Sequence, residues 1–346
     1  MNQRTELTFA LAILAMSGCE PESPPAAPVL LPETPPPTPI IEGVPSPASC
    51  AAAAVVSRTA VLLVQMGDST LSCSHEAVAS TFFDPNVGTA AFYLQASHGL
   101  LDVQGDVLGP FAIPADDTCI GPSDAPGATA ALQRWHQQVD AAAAAAGIDL
   151  SAYERLVYAL PQRPACMDRG GVSRPTWQRA FVFQCDSPAL FAHEYGHLLG
   201  MNHASTPEKE YGDDSDFMGS GKELGLLSAP HRAAMGWLPP EQVIDVRTSG
   251  LYRVRALELD SSAVRVLVIP RSDDPTKALY VSLPTELGGR TSVHEFSATC
   301  PPKPQPKSML WARLGDGESH TTGTVRITQV AHAGDAATLE IVVEAR

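Results

Sequence analysis

One stretch constrains this chain more than any other: His193-Glu194-Tyr195-Gly196-His197-Leu198-Leu199-Gly200-Met201-Asn202-His203. On a helix, histidines four apart leave the same face, one turn above the other. Ser187-Pro188 supplies the start of that helix, a serine N-cap followed by proline at the first helical position. Gly200 supplies its end, because glycine accepts the left-handed backbone that stops a helix. The turn there returns His203 to the first two imidazoles. Three histidines so gathered hold a zinc ion at ~2.0–2.1 Å and leave its fourth tetrahedral position to water. Glu194 lies about 100° round the helix from His193 and reaches such a water without ligating the metal. The expected ligands are His193, His197 and His203, with Glu194 as catalytic base.

The start of the chain reads as an export signal. A short opening with Arg4 leads into the apolar run Leu7 to Met16, too short to span a bilayer as a helix. Met16-Ser17-Gly18-Cys19 resembles the lipobox of bacterial lipoproteins, which implies a lipid on Cys19; an ordinary cleaved signal over residues 1–19 is the other reading. No later stretch is long and apolar enough for a transmembrane helix. Residues 20–49 form a linker in which Pro21, Pro24, Pro25, Pro28, Pro32, Pro35, Pro36, Pro37, Pro39, Pro45 and Pro47 forbid helix and central strand. Extended at ~3.1 Å per residue it is a stalk of up to roughly 90 Å. The expected location is the cell envelope, as a lipoprotein of the outer membrane or surface, or outside the cell.

Six cysteines remain beyond Cys19: Cys50, Cys73, Cys119, Cys166, Cys185 and Cys300. An even number in an exported chain suggests up to three disulfides. Cys166 and Cys185 flank a short loop before the motif helix and are the favoured pair. The formal net charge of −15 and the lack of a basic stripe argue against a nucleic-acid partner.

Residues 50–240 mix strands and helices. Ala60–Met66 reads as a buried strand, Ser74–Phe83 as a helix, and Ala90–Gln95 as a strand. Leu100–Val103 and Val107–Phe111 read as a hairpin about Gln104-Gly105-Asp106. Ala128–Ala146 is an alanine-rich helix stopped by Gly147; Arg155–Leu160 and Arg179–Gln184 are strands. After Pro239-Pro240, β-branched runs at Leu251–Leu257, Val264–Ile269, Ala278–Leu283, Thr324–Val330 and Thr338–Val343 suggest a β-sandwich over residues 241–346.

His-Glu-x-x-His-x-x-Gly-x-x-His is the metzincin signature, and Tyr211-Gly212-Asp213 with Asp216-Phe217-Met218-Gly219 resembles the methionine turn of those enzymes. Ser228-Ala229-Pro230-His231, Gly236-Trp237-Leu238, Ser97-His98-Gly99, Gly105-Asp106-Val107-Leu108-Gly109-Pro110 and Gly147-Ile148-Asp149 resemble the gametolysin-like family of metzincin metalloproteases, over about residues 90 to 240. The resemblance implies an α+β metzincin-like catalytic domain, here followed by a smaller all-β, sandwich-like domain. It also implies one catalytic Zn2+, Met218 in a tight turn beneath it, and a protein or peptide substrate, often an extracellular or wall glycoprotein. A monomer is expected, touching membrane only through the lipid. Two departures stand out. Gly219-Ser220-Gly221 occupy the place where some metzincins carry a tyrosine, and the stretch before Cys50 is too short for a large inhibitory propeptide.

Asp213, Asp214 and Asp216 are candidate Ca2+ ligands by oxygen chemistry, or turn formers. His231 reads as structural. Two rival functions stay open, a surface binding or adhesion protein on the same scaffold and a zinc hydrolase of a non-peptide bond.

Overall fold

The computed structural model describes residues 44–46, 50, 52–118, 120, 127–162, 170–220, 227–259 and 262–344, all within one unit, residues 39–346. Its first part runs β1 (Val44–Pro45), β2 (Val55–Met66), α1 (His75–Phe83), α2 (Thr89–Ala96), β3 (Leu101–Ile113), α3 (Ala128–Ala145), β4 (Arg155–Ala159), β5 (Gly171–Arg174), β6 (Arg179–Val182), α4 (Pro188–Leu199), β7 (Ala204–Ser205) and α5 (Ala229–Ala234). Five strands make a sheet in the order β3-β2-β4-β6-β5. All neighbours are parallel except β5, which runs antiparallel at the edge.

β2 is apolar almost throughout because both faces of a parallel sheet are covered. Alternation sends Ala60, Leu62, Val64 and Met66 toward α3, where Leu132, Trp135 and Val139 meet them. Val61 and Leu63 point the other way, with Val157, Ala159, Ala180 and Val182, into a core shared with Phe82, Phe92, Phe191 and Tyr195. The motif helix α4 is thus one wall of a core layer, and its ligand face looks outward from that wall.

Two expectations fail here. Ala90–Gln95 is not a strand but most of α2, whose buried Thr89, Phe92, Tyr93 and Ala96 recur at helical spacing. Its aromatic content suggests a strand, yet Tyr93 packs on the motif helix and its hydroxyl donates to Ala192 O at 2.6 Å. Residues 104–106 are not a hairpin turn. Both flanking runs belong to β3, which pairs with β2 along its length; Gly105 lies opposite Thr59, and an extra residue near Gly109-Pro110 is absorbed as a bulge between Leu62 and Val64.

The remaining strands are β8 (Val243–Asp245), β9 (Gly250–Arg255), β10 (Val266–Pro270), β11 (Lys277–Ser282), β12 (Thr291–Ser297), β13 (Ser308–Leu314), β14 (Ser319–Thr322), β15 (Val325–Ala333) and β16 (Ala336–Val343). They form a seven-stranded sheet, β1-β8-β10-β11-β12-β13-β7, and a four-stranded sheet, β14-β15-β16-β9. Leu267, Leu279, Val281 and Val293 of the first meet Tyr252, Val254, Ile327, Leu339 and Ile341 of the second. The opposite face of the larger sheet, Val266, Val268 and Tyr280, is covered by Ala229 and Ala233 of α5. Its edge strand β7 directly follows His203, so the β-rich tail is stitched to the metal-ligand segment by the Ser308↔Ala204 and Met309↔Ser205 pairings.

Cys185 does not pair with Cys166. It is bonded to Cys73, with Cα atoms 6.1 Å apart, and Cys50 is bonded to Cys300. Cys73 precedes α1 and Cys185 precedes α4, so the bond joins the starts of two helices on one face of the sheet. Cys19, Cys119 and Cys166 lie outside the described residues, as do the signal segment and nearly all of the linker. Two disulfides point to an exported protein. Among the described residues no helix is long and apolar enough to cross a membrane.

Candidate metal centre

α4 begins as its sequence demands. Ser187 Oγ accepts from Leu190 N at 3.2 Å, and Pro188 occupies the first turn. Gly200 closes the helix at φ 102°, a conformation costly for residues with a Cβ, and Met201 N donates back to Gly196 O at 3.0 Å. The reversal brings His203 against the helix. His193, His197 and His203 then offer ligand atoms that all lie within 4.8 Å of one another.

The outer ring nitrogens fix how the imidazoles face. His197 Nδ1 donates to Met201 O at 2.9 Å, and His203 Nδ1 to Glu210 Oε1 at 2.8 Å. His193 Nδ1 lies 3.4 Å from Phe217 O. Each Nε2 is left for the centre, and those of His197 and His203 stand 3.1 Å apart. Burial, augmented by the neighbouring imidazoles, pushes His193 down to about 4. Burial also brings His203 to about 4, against the opposing pull of Glu210. Three imidazole nitrogens converging within 4.8 Å of one another, each ring held from its outer nitrogen, are a donor set that fits a zinc ion.

Glu194 is buried, 5% exposed, yet lines both cavities of the cleft. Ser173 Oγ of β5 lies 2.7 Å from Glu194 Oε2 and 2.8 Å from its main-chain oxygen. Gly171 lies below the carboxylate: a Cβ there would fall 2.7 Å from Glu194 Cγ and 2.8 Å from Oε1. The two cavities, about 530 and 430 Å³, share Gly171, His193, Glu194 and Tyr211. The larger is walled by Ala189, Leu190 and Phe217; the smaller by Val172, Arg174 and Asn202.

Met218 is fully buried under the helix, its sulfur 2.5 Å from where a Cβ on Gly196 would lie. Asp216 builds the turn: Oδ1 accepts from Met218 N at 2.7 Å, and Oδ2 from Ser228 N at 2.9 Å and His231 Nδ1 at 2.8 Å. Residues 58–299, more than half of the chain, match the model of the gametolysin peptidase M11 family. The chain belongs to that family. No curated protein matches it.

In this gametolysin-family peptidase the three histidines are therefore brought together as the motif spacing requires, with Glu194 and Met218 beside and beneath them. The acidic turn is different. Asp213 receives His294 Nε2 at 2.8 Å and Ser215, Asp214 meets Arg313, and Asp216 meets His231. Arg313 also reaches Asp213, at 3.6 Å, so all three carboxylates are engaged by protein groups and calcium is not supported; among the described residues the histidine trio alone clusters as metal donors. His231 is fully buried and structural. Sequence reasoning missed Ser173, Gly171 and Glu210, and it named Tyr211 only as part of a family resemblance, with no place beside the metal ligands. The Gly170-Gly171 pair carries the one available hint, since glycine often marks a close approach. Tyr211 adopts φ 60°, rare for an aromatic residue, and its ring centroid lies 4.0 Å from that of His203.

Proposed function

We propose that this peptidase is an exported, zinc-dependent endopeptidase of the metzincin type, with His193, His197 and His203 as ligands, Glu194 as general base and Met218 as the residue of the turn beneath the metal. The convergence of three outward-anchored imidazoles beside a buried carboxylate that opens on a double cleft carries this reading. Zinc so bound supplies Lewis acidity and makes a coordinated water acidic near neutral pH. The chain's own groups do the rest. Ser173 steadies Oε2 of Glu194, which leaves Oε1 above Gly171 to accept the proton of the attacking water and later deliver it to the leaving amine. β5 is an antiparallel edge strand beside that carboxylate, and an edge offers its backbone groups to an extended polypeptide. Cavities on either side of Glu194 suit side chains flanking a scissile bond. Residues 1–19 we read as the signal, Cys19 as the lipid site and residues 20–49 as the stalk; residues 50–240 serve as the catalytic domain and 241–346 as the β-sandwich, to whose larger sheet Val44–Pro45 and Ala204–Ser205 add the two edge strands.

Cleavage of casein by the purified, zinc-loaded chain tests the reading. Activity should vanish on dialysis against a strong chelator and return with added zinc. Cleavage that persists in the metal-free protein, or a folded and zinc-loaded protein that cuts neither casein nor a mixed peptide library, would overturn it.

Gly171→Ala probes the placement of the base. The added methyl must displace the Glu194 carboxylate, and misplacement on the scale of 1 Å costs roughly 10²-fold in rate. The expected result is a fall in kcat of about that size with zinc content unchanged, read by steady-state kinetics and metal analysis.

A further inference from the structure

His197 stands on a helix, whereas His203 stands on the loop after Gly200 and must be positioned from outside. The β-rich tail holds that loop, directly and through Glu210. Ser308 N donates to His203 O at 3.0 Å and Gln305 N to Gly200 O at 2.8 Å, while Asn202 Nδ2 donates to Gln305 O at 3.2 Å. Lys307, immediately before β13, donates to Glu210 Oε1 at 2.6 Å, the oxygen that accepts from His203 Nδ1 at 2.8 Å. Of the three imidazoles this one alone has a carboxylate behind it; His197 faces a peptide carbonyl at 2.9 Å, and His193 faces one at 3.4 Å.

We propose that Glu210, oriented by Lys307, is the positioning residue for His203, and that the β-rich tail thereby sets the metal affinity of the site. The inference rests on the zinc reading above. A carboxylate on the outer nitrogen of a ligating imidazole fixes its tautomer and orientation and raises its basicity, and its loss typically weakens metal binding 10–100-fold. The same pair contributes little to folding. Glu210 and Lys307 side chains are 50% and 45% exposed, and exposed ion pairs are worth about 0–1 kcal/mol. Metal affinity and stability therefore separate.

The test measures zinc affinity by competition with a fluorescent chelator, alongside the visible spectrum of the cobalt-loaded protein and thermal unfolding of the metal-free protein. Glu210→Gln should weaken zinc binding by roughly 10–100-fold and shift the cobalt spectrum, with the unfolding of the metal-free form unchanged. Lys307→Met should weaken zinc binding less, and Lys307→Arg should restore it. In a His203→Ala background Glu210→Gln should have no further effect, because its route runs through that imidazole. Zinc affinity in Glu210→Gln equal to the parent's, or an equal loss in the His203→Ala background, overturns the inference. If His203→Ala itself binds zinc as tightly as the parent, the zinc reading fails, and this inference with it.

Discussion

Glu194→Gln should leave zinc in place and lower kcat for peptide cleavage by roughly 10²–10⁴-fold, the range that a positioned general base supplies. The substitution keeps the shape of the side chain and an oxygen for Ser173, which lies 2.7 Å from Oε2. It removes the negative charge and replaces the basic oxygen by an N–H group that cannot take a proton. The site is buried, so a neutral amide is no harder to accommodate there than a carboxylate, and folding should not suffer. Metal analysis separates this result from His197→Ala, in which zinc and activity should be lost together, because Nε2 of His197 is one of the converging donors. KM should stay near the parent value, since the lost interaction belongs to the transition state. Activity within about tenfold of the parent would move the base elsewhere. Loss of zinc in Glu194→Gln would make the carboxylate a ligand.

The metal trio was legible because its geometry is local. Ser187, Pro188 and Gly200 set where α4 starts and stops, and spacing on one helix face does the remainder. The supports of the site were not legible, because their partners are distant in sequence. Ser173 reaches Glu194 across 21 residues, Lys307 reaches Glu210 across 97, and Cys73 reaches Cys185 across 112. Such contacts depend on sheet order, which periodicity does not encode. β12 and β13 escaped for another reason. Thr291–Ser297 is buried at almost every position yet carries Ser292, His294 and Glu295, so no β-branched run marks it. Those polar groups are tolerated because His294 meets Asp213, while Glu295 meets Arg271 and Lys277.

Asp216 is a second position at which a single-atom change should have a large effect. Three donors converge on its carboxylate, from Met218 N, Ser228 N and His231 Nδ1, and both Asp216 and His231 are fully buried. Asp216→Asn replaces one acceptor oxygen by an amide that can only donate. Whichever way it turns, at least one of those buried donors faces an N–H. Breaking one side of a buried pair of this kind costs roughly 3–5 kcal/mol, and in a domain of this size each kcal/mol shifts Tm by about 2–4 °C. A fall of roughly 6–20 °C is therefore expected for the metal-free protein in a thermal melt. Burial by itself would raise the Asp216 carboxyl, but the His231 imidazole beside it and the hydrogen bonds from Ser228 and Met218 prevail and hold it well below the usual range. Its contribution to stability is thus complete above the ~3.9 of a free aspartate and is lost as pH falls toward the folded value. The difference in stability between parent and variant should shrink on acidification below about pH 4. Displacing the turn also lets Met218 move beneath Gly196, and Phe217 O, which faces His193, moves with it. Zinc affinity should fall along with stability. A variant that melts with the parent would assign the turn's rigidity to its backbone hydrogen bonds, Gly219 N to Asp216 O and Ser220 N to Asp213 O, rather than to the buried carboxylate.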